Sequence, residues 1–127
     1  MGRRLLLLSR NQTIGAELIA PAFRSRGWEV FISAPTSEDI KEVDKRIHDL
    51  VIMEITRPGP EGYALCEELR RRSRIPLLLI VSAVAKKDIV EGLNRGADAY
   101  VLEPFDLREL LVRAEALVRR AKGQNHG

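Results

Sequence analysis

"HDLVIMEITRPGPEGYALCEELR", residues 48–70, decides how this chain folds. Leu50–Met53 run without a break into one carboxylate, Glu54, and a loop rich in proline and glycine follows at once. From Gly62 to Arg72 the apolar residues return with helical spacing. A continuously apolar strand is one covered on both faces, as in a parallel sheet. In such sheets the functional crevice lies outside the carboxyl ends of the strands. Leu50–Glu54 therefore reads as a central strand, and Glu54 as an acid presented at the lip of the sheet.

The same alternation extends in both directions. Strand signals lie at Arg4–Leu8, Glu29–Ser33, Leu77–Val81 and Ala99–Leu102. Helical stretches lie at Thr13–Ser25, Ser37–Ile47, Gly62–Arg72, Lys86–Asn94 and Leu107–Ala121. "TSED" is a sound helix start, and Asp106 with Glu109 three residues on has the spacing of a capping box. Leu107, Leu110, Leu111, Ala114, Leu117 and Val118 form one apolar stripe on the last helix. Gly27 and Gly96 fall where helix-terminating glycines do. Strand–helix pairs joined by right-handed crossovers predict an α/β, doubly wound, parallel five-stranded sheet. The rim residues are then Ser9, Arg10 and Asn11 after strand one, Glu54, Val81 and Ser82 after strand four, and Glu103 after strand five.

Composition bounds the class. A chain of 127 residues, 45% hydrophobic and 31% charged, fits one domain, expected over residues 1–122, with a disordered tail at 123–127. The opening "MGRRLLLLSRNQ" has too short an apolar stretch for a signal peptide and no small-residue cleavage site, which favours a cytoplasmic location and no membrane association. Cys66 is the single cysteine, so neither a disulfide framework nor a cysteine zinc site is available, and a buried thiol is expected. His48 and His126 have no metal-ligand spacing and are expected in solvent. Net charge is +3, and the basic clusters Arg70–Arg72 with Arg74 and Arg119, Arg120 and Lys122 close helices. There they complement the helix dipole, which argues against direct nucleic-acid binding.

"HDLVIMEITRPGPEGYALCEELR", "IPLLLIVSA" and "GADAYVLEPFDLRELLVRAEALVRR" together resemble the receiver domains of two-component response regulators, over nearly the whole chain. "ELLVRAEALVRR" is most similar to regulators whose receiver precedes a winged-helix DNA-binding domain. The resemblance implies the flavodoxin-like order 2-1-3-4-5 and a cis bond before Pro104. It also implies a phosphoacceptor aspartate after strand three, a magnesium-binding acidic pair after strand one, a Ser/Thr after strand four and a lysine after strand five. Magnesium and the lysine would neutralise the incoming phosphoryl oxygens.

This sequence departs from that pattern at nearly every point. Glu54 stands for the aspartate, and Glu103 for the lysine. The acidic pair falls on two of Ser9, Arg10 and Asn11, none of them an acid. Ungapped spacing puts Val81 at the hydroxyl position, whereas the "SA" dipeptide favours Ser82. Tyr100 matches the aromatic that reports phosphorylation in the family. The expected function is thus a phosphorylation-independent receiver, with no catalytic residue, metal or cofactor, acting as an interaction or dimerisation module in signalling or transcriptional control. An ion pair or triad of Arg10 with Glu54 and Glu103 is one expected consequence of the changes, and solvated drift the other. The resemblance to the winged-helix subclass implies self-pairing through the fourth helix, fifth strand and fifth helix, with Lys87, Asp98, Glu109, Arg113 and Arg119 as interface candidates. It also allows a DNA-binding domain beyond this chain. The rival readings are phosphoryl acceptance on Glu54, and a free-standing adaptor holding a small ligand in the remodelled crevice. No Gly-rich phosphate loop follows strand one to support the latter.

Overall fold

The computed structural model describes residues 2–11 and 13–124. Its five strands are β1 (Arg4–Leu8), β2 (Glu29–Ser33), β3 (Leu50–Ile55), β4 (Leu77–Val81) and β5 (Ala99–Leu102). They pair in the order β2-β1-β3-β4-β5, every neighbour parallel. Every residue of β3 and β4 is buried, which is why neither shows an alternating pattern.

Helices cover both faces, and each strand divides its side chains between two cores. On one face Leu5, Leu7, Ile52 and Ile80 meet Phe23 of α1 (Thr13–Ile19 continuing as Ala20–Arg24) and Leu110, Ala114 and Val118 of α5 (Leu107–Gln124). On the other Leu6, Leu8, Val51 and Leu79 meet Ile40 of α2 (Ser37–Ile40 and Glu42–Lys45), Leu69 of α3 (Pro60–Arg72) and Ala85 of α4 (Ala83–Asp88 continuing as Ile89–Asn94). Each buried Leu or Ile is worth about 1.5–3 kcal/mol over leaving it in water, so the two cores hold the sheet rigid beneath its rim.

The expected helices form with altered geometry at three places. The first seven residues of α1, Thr13–Ile19, are π-helical. A Cβ on Gly15 would lie 3.1 Å from Ser9 Oγ, a tight contact, so a glycine lets the wide turn rest close against the end of β1. α2 breaks at Lys41 into two single turns, because Ile40 alone is buried and packing, not propensity, sustains short helices. α4 opens as a 3₁₀ turn. Thr36 Oγ1 caps α2 by accepting the Asp39 N–H, and Asp106 Oδ1 accepts the Arg108 N–H at the start of α5. Gly27 and Gly96 take left-handed φ of 88° and 124°, the conformation that ends their helices.

α5 runs past Ala121 to Gln124; residues 125–127, His126 included, lie outside the described residues. His48 is buried, not in solvent. Its ring stands edge-on to Phe31 at 5.5 Å and neither nitrogen has a hydrogen-bond partner, so desolvation lowers its pKa and keeps it neutral. The strand pattern begins two residues later, which concealed this position from a periodicity reading. Cys66 is buried as expected, and burial pushes its thiol up to about 11.

Candidate functional site

The rim is set by register. Leu8 pairs with Met53 across β1 and β3, so the next step along both strands brings Ser9 beside Glu54. Ser9 Oγ lies 3.1 Å from Glu54 Oε1. The same hydroxyl accepts the Asn11 N–H at 3.1 Å and lies 3.3 Å from the Asn11 carbonyl, to which its single proton could alternatively be donated. Asn11 itself starts α1: its Oδ1 accepts the Ile14 N–H and its carbonyl the Gly15 N–H. Asn11 is thus a helix-start residue.

Glu54 is only 5% exposed, because β3 continues one residue beyond it, to Ile55. Burial raises its pKa above the ordinary carboxylate value, and the negative field of Glu103 adds to the rise. The Ser9 hydroxyl and the amides of Arg10 and Asn11 work in the opposite direction without cancelling it. The ion pair considered for Arg10 does not form. Arg10 is exposed, and among the described residues its side chain has no acidic partner. Ser9, the strand neighbour of Glu54, takes the contact instead, and the Arg10 side chain lies in solvent.

Arg10 instead lines a cavity of about 240 Å³ with Pro35, Glu54, Ile55, Thr56, Arg57, Glu61, Gly62 and Leu65. Thr56, Arg57 and Glu61 were not singled out in the sequence; the only signal was their place in the loop after β3 and in the first turn of α3. Val81 is buried, so no hydroxyl can stand there. Ser82 Oγ donates to the Thr56 carbonyl at 3.0 Å, which ties the loop after β4 to the loop after β3. Glu103 is half-buried, its N–H bonded to the Val81 carbonyl, and the Glu103–Pro104 peptide is cis.

On the far side of β5, Tyr100 is 37% exposed, and Arg113 reaches its carbonyl at 3.4 Å. Glu109 and Arg113 pair along α5 at 3.0 Å, while Lys87 and Arg119 are exposed. Asp98 is already engaged within the chain, accepting the Leu77 N–H at 2.8 Å and Arg70 Nη2 at 3.3 Å. Val84, Val90 and Val112 stand exposed around this surface. Val112 could have been found as the valine lying off the apolar stripe of its helix.

A magnesium ion needs several oxygen donors, usually with at least one or two carboxylates, and gives up its waters reluctantly. Two acids, Glu54 and Glu61, line the cavity together with Arg10 and Arg57; the Glu54 pKa is raised, one of its oxygens is engaged by Ser9, and Arg10 follows where a second acid would help. Among the described residues no three His, Cys, Asp or Glu side chains come together as a metal cluster. This donor set does not fit magnesium.

The sheet order defines a doubly wound α/β domain, and comparison with known proteins gives its family. Residues 11–115 match the response regulator receiver domain family, and the chain belongs to it. It is 38% identical over 119 residues to the transcriptional activator protein PfeR of Pseudomonas aeruginosa, covering 94% of this chain and 39% of that protein. It is 31% identical over 115 residues to the sensory transduction protein RegX3 of Mycobacterium tuberculosis, covering 91% of this chain and 51% of that protein. The chain therefore spans about two fifths to one half the length of these relatives. Among solved structures, the receiver domain of the TMAO respiratory system regulator TorR superposes with a TM-score of 0.82 at 29% identity, covering 93% of this chain and 98% of that one. A CheY-like receiver from Methanospirillum hungatei, at 22% identity and a TM-score of 0.87, has the same fold. No helix among the described residues is long and apolar enough to cross a membrane.

Proposed function

We propose that this receiver works without phosphorylation, as a cytoplasmic interaction module in transcriptional or signalling control. The observation that carries the reading is the setting of Glu54: buried, bonded to a serine hydroxyl where a second acid would help bind metal, and faced by Glu103. Phosphoryl transfer needs positive charge on the transferred oxygens and in-line access to the acceptor. At about 4 Å and an effective dielectric of about 20, one charge of the wrong sign changes an attraction of roughly 4 kcal/mol into a repulsion of similar size. Glu54 also carries an extra methylene, and attack geometry tolerates little displacement.

The output surface on this reading is the face formed by α4, β5 and α5. Val84, Val90, Tyr100 and Val112 offer exposed apolar area there, and Lys87, Glu109, Arg113 and Arg119 offer charge. A second copy of the chain is the proposed occupant, with a DNA-binding domain beyond this chain as the element controlled. Asp98, bound to Leu77 and Arg70, contributes by holding β5 in place.

Incubation with acetyl phosphate and Mg²⁺, followed by intact mass measurement, tests the chemistry. No phosphate adduct is expected, and an adduct that maps to Glu54 overturns the reading. Sedimentation at high protein concentration in low salt tests the surface: weak self-association is expected, and it should be lost in Val112→Glu.

A further inference from the structure

We propose that His48 is a pH-sensitive clasp: neutral, it closes the corner between α2, the edge strand β2 and the start of β3, and on taking up a proton it lets that corner open. The corner lies at the end of the sheet opposite the rim and uses none of the crevice residues.

His48 is only 8% exposed, yet among the described residues neither ring nitrogen has a hydrogen-bond partner. Buried polar side chains almost always have one. Shape holds the ring instead: it stands edge-on to Phe31 at 5.5 Å, and the Arg46 guanidinium lies over Phe31 at 4.7 Å. The charges that act on the ring are Glu42 from α2, Arg4 from β1, and Arg46 and Asp49 from the flanking loop. Both acids are engaged elsewhere. Glu42 pairs with Lys45 at 3.7 Å, and Asp49 accepts the Arg4 N–H at 2.8 Å. The two arginines repel an imidazolium. An imidazolium has two N–H donors to satisfy, and the closed corner offers neither an acceptor. Water supplies both once the corner opens.

The corner is built to give way locally. α2 breaks at Lys41 into two single turns, and Ile40 is its one buried residue. Its ties to α3, Arg72 with Asp44 and Ser37 with Glu68, are open to water, where polar contacts contribute little. Every residue of β3 and β4, by contrast, is buried. Segments with few buried apolar contacts open at lower cost than the core beneath them. The sign of the pH effect follows from the same geometry. Desolvation lowers the ring's pKa from its ordinary 6.5, and Glu42 and Asp49 oppose that without cancelling it. The open corner therefore binds more protons than the closed one, and closure weakens as pH falls below 6.5. With the closed ring neutral and the open ring titrating at 6.5, the open population grows about tenfold between about pH 7.5 and about pH 5.5.

Amide hydrogen exchange on the full chain, read by NMR and corrected for the intrinsic rate at each pH, tests the clasp. The Asp44 and Asp49 amides, bonded to the Lys41 and Arg4 carbonyls, report the corner; those of Ile52 and Leu79 report the cores. Protection at Asp44 and Asp49 should fall about tenfold from about pH 7.5 to about pH 5.5, while Ile52 and Leu79 stay unmoved. In a His126→Gln background, which leaves one histidine, the His48 ring resonances should titrate below 6.5. His48→Phe and His48→Leu keep the position apolar and remove the proton. In whichever of them unfolds at the wild-type midpoint at neutral pH, the pH dependence at Asp44 and Asp49 should vanish. Flat protection in the wild type, or a ring that titrates at 6.5 or above, overturns the clasp. So does a pH dependence that survives the loss of His48. A loss of protection shared equally by Ile52 and Leu79 is unfolding of the whole domain and overturns the local opening.

Discussion

The two ends of the sheet use charge in opposite ways. At the end where the strands begin, several charges serve the backbone. Arg70 bonds to the carbonyls of Gly96, Ser73 and Ile75, at 2.6, 3.2 and 2.9 Å. Asp98 accepts the Leu77 N–H and Asp49 the Arg4 N–H, each at 2.8 Å. At the end where the strands finish, Arg10, Arg57, Glu61 and Glu103 have no side-chain partner among the described residues, and the one side chain bonded to Glu54 is Ser9. The charges named at the first end are tied into the backbone, whereas these rim side chains around Glu54 are not. On the reading proposed above, the second end is where the scaffold persists while the charges that would run phosphoryl chemistry differ in sign or type.

The largest effect should come from reversing those changes. The variant Ser9→Asp, Arg10→Asp, Glu54→Asp, Glu103→Lys restores two acids, a shorter acceptor and a cation on an unaltered sheet. It should incorporate phosphate from acetyl phosphate and Mg²⁺, read by intact mass, where the wild type takes up none. A well-folded variant that stays unlabelled would mean that the scaffold has changed too, and the comparison between the two ends would fail.

Next comes the first end. Arg70→Ala removes a charged donor from three carbonyls at once. Charge-assisted hydrogen bonds contribute about 1.5–3 kcal/mol each when buried, and Arg70 is partly open to water, so a total loss of about 2–3 kcal/mol is expected in urea unfolding. Asp98→Ala should cost less, about 1–2 kcal/mol, by leaving the Leu77 N–H at the start of β4 without its acceptor. The two changes share one contact and should be less than additive.

Much of this was legible in the sequence, for identifiable reasons. Strand positions followed from unbroken apolar runs: β1, β2, β4 and β5 start and stop where the pattern does, and β3 ends one residue later. Glu54 was legible as a rim residue because a carboxylate closing such a run has few other places to go. What the sequence did not carry was partner choice. Whether Glu54 meets Ser9 or Arg10 depends on a one-residue register between strands separated by more than forty positions. The family resemblance fixed the rim positions without saying which side chain turns inward. Arg57 and Glu61 escaped notice because residues of a loop and of the helix turn it feeds show their surroundings only once the loop is folded. His48 shows the same limit from the other side: a polar residue buried by a neighbouring edge strand leaves no periodic trace.

Glu54 allows a finer test of the second end. Its pKa is raised in the folded chain, so the unfolded chain releases this proton at lower pH than the folded one does. Between the two values the folded state binds more protons, and stability falls as pH rises through that window, beginning near the model-compound value of 4.5. Glu54→Gln has no proton to lose and can still accept from Ser9. Its unfolding free energy relative to wild type should therefore improve as pH rises through the window, then hold constant. A difference that is flat from acid to neutral pH would show that Glu54 is not desolvated in solution.

The smallest effects should be those of the remaining rim charges, and their smallness is the point. Arg10→Gln, Arg57→Gln and Glu61→Gln remove exposed groups without partners, and surface changes of that kind usually fall within about 0.5 kcal/mol. Glu103→Gln should differ in sign as well as size. Its carboxylate helps to raise the Glu54 pKa, so removing it relieves a repulsion at neutral pH and should stabilise the chain slightly. In a Glu54→Gln background nothing is left to relieve, and the gain should disappear. A double-mutant cycle on the pair measures that coupling directly, and added salt should shrink it because Glu103 is only half-buried. A cycle that closes to zero would mean that the two acids do not sense each other, and that the crevice opposes phosphoryl transfer through its missing metal ligands alone.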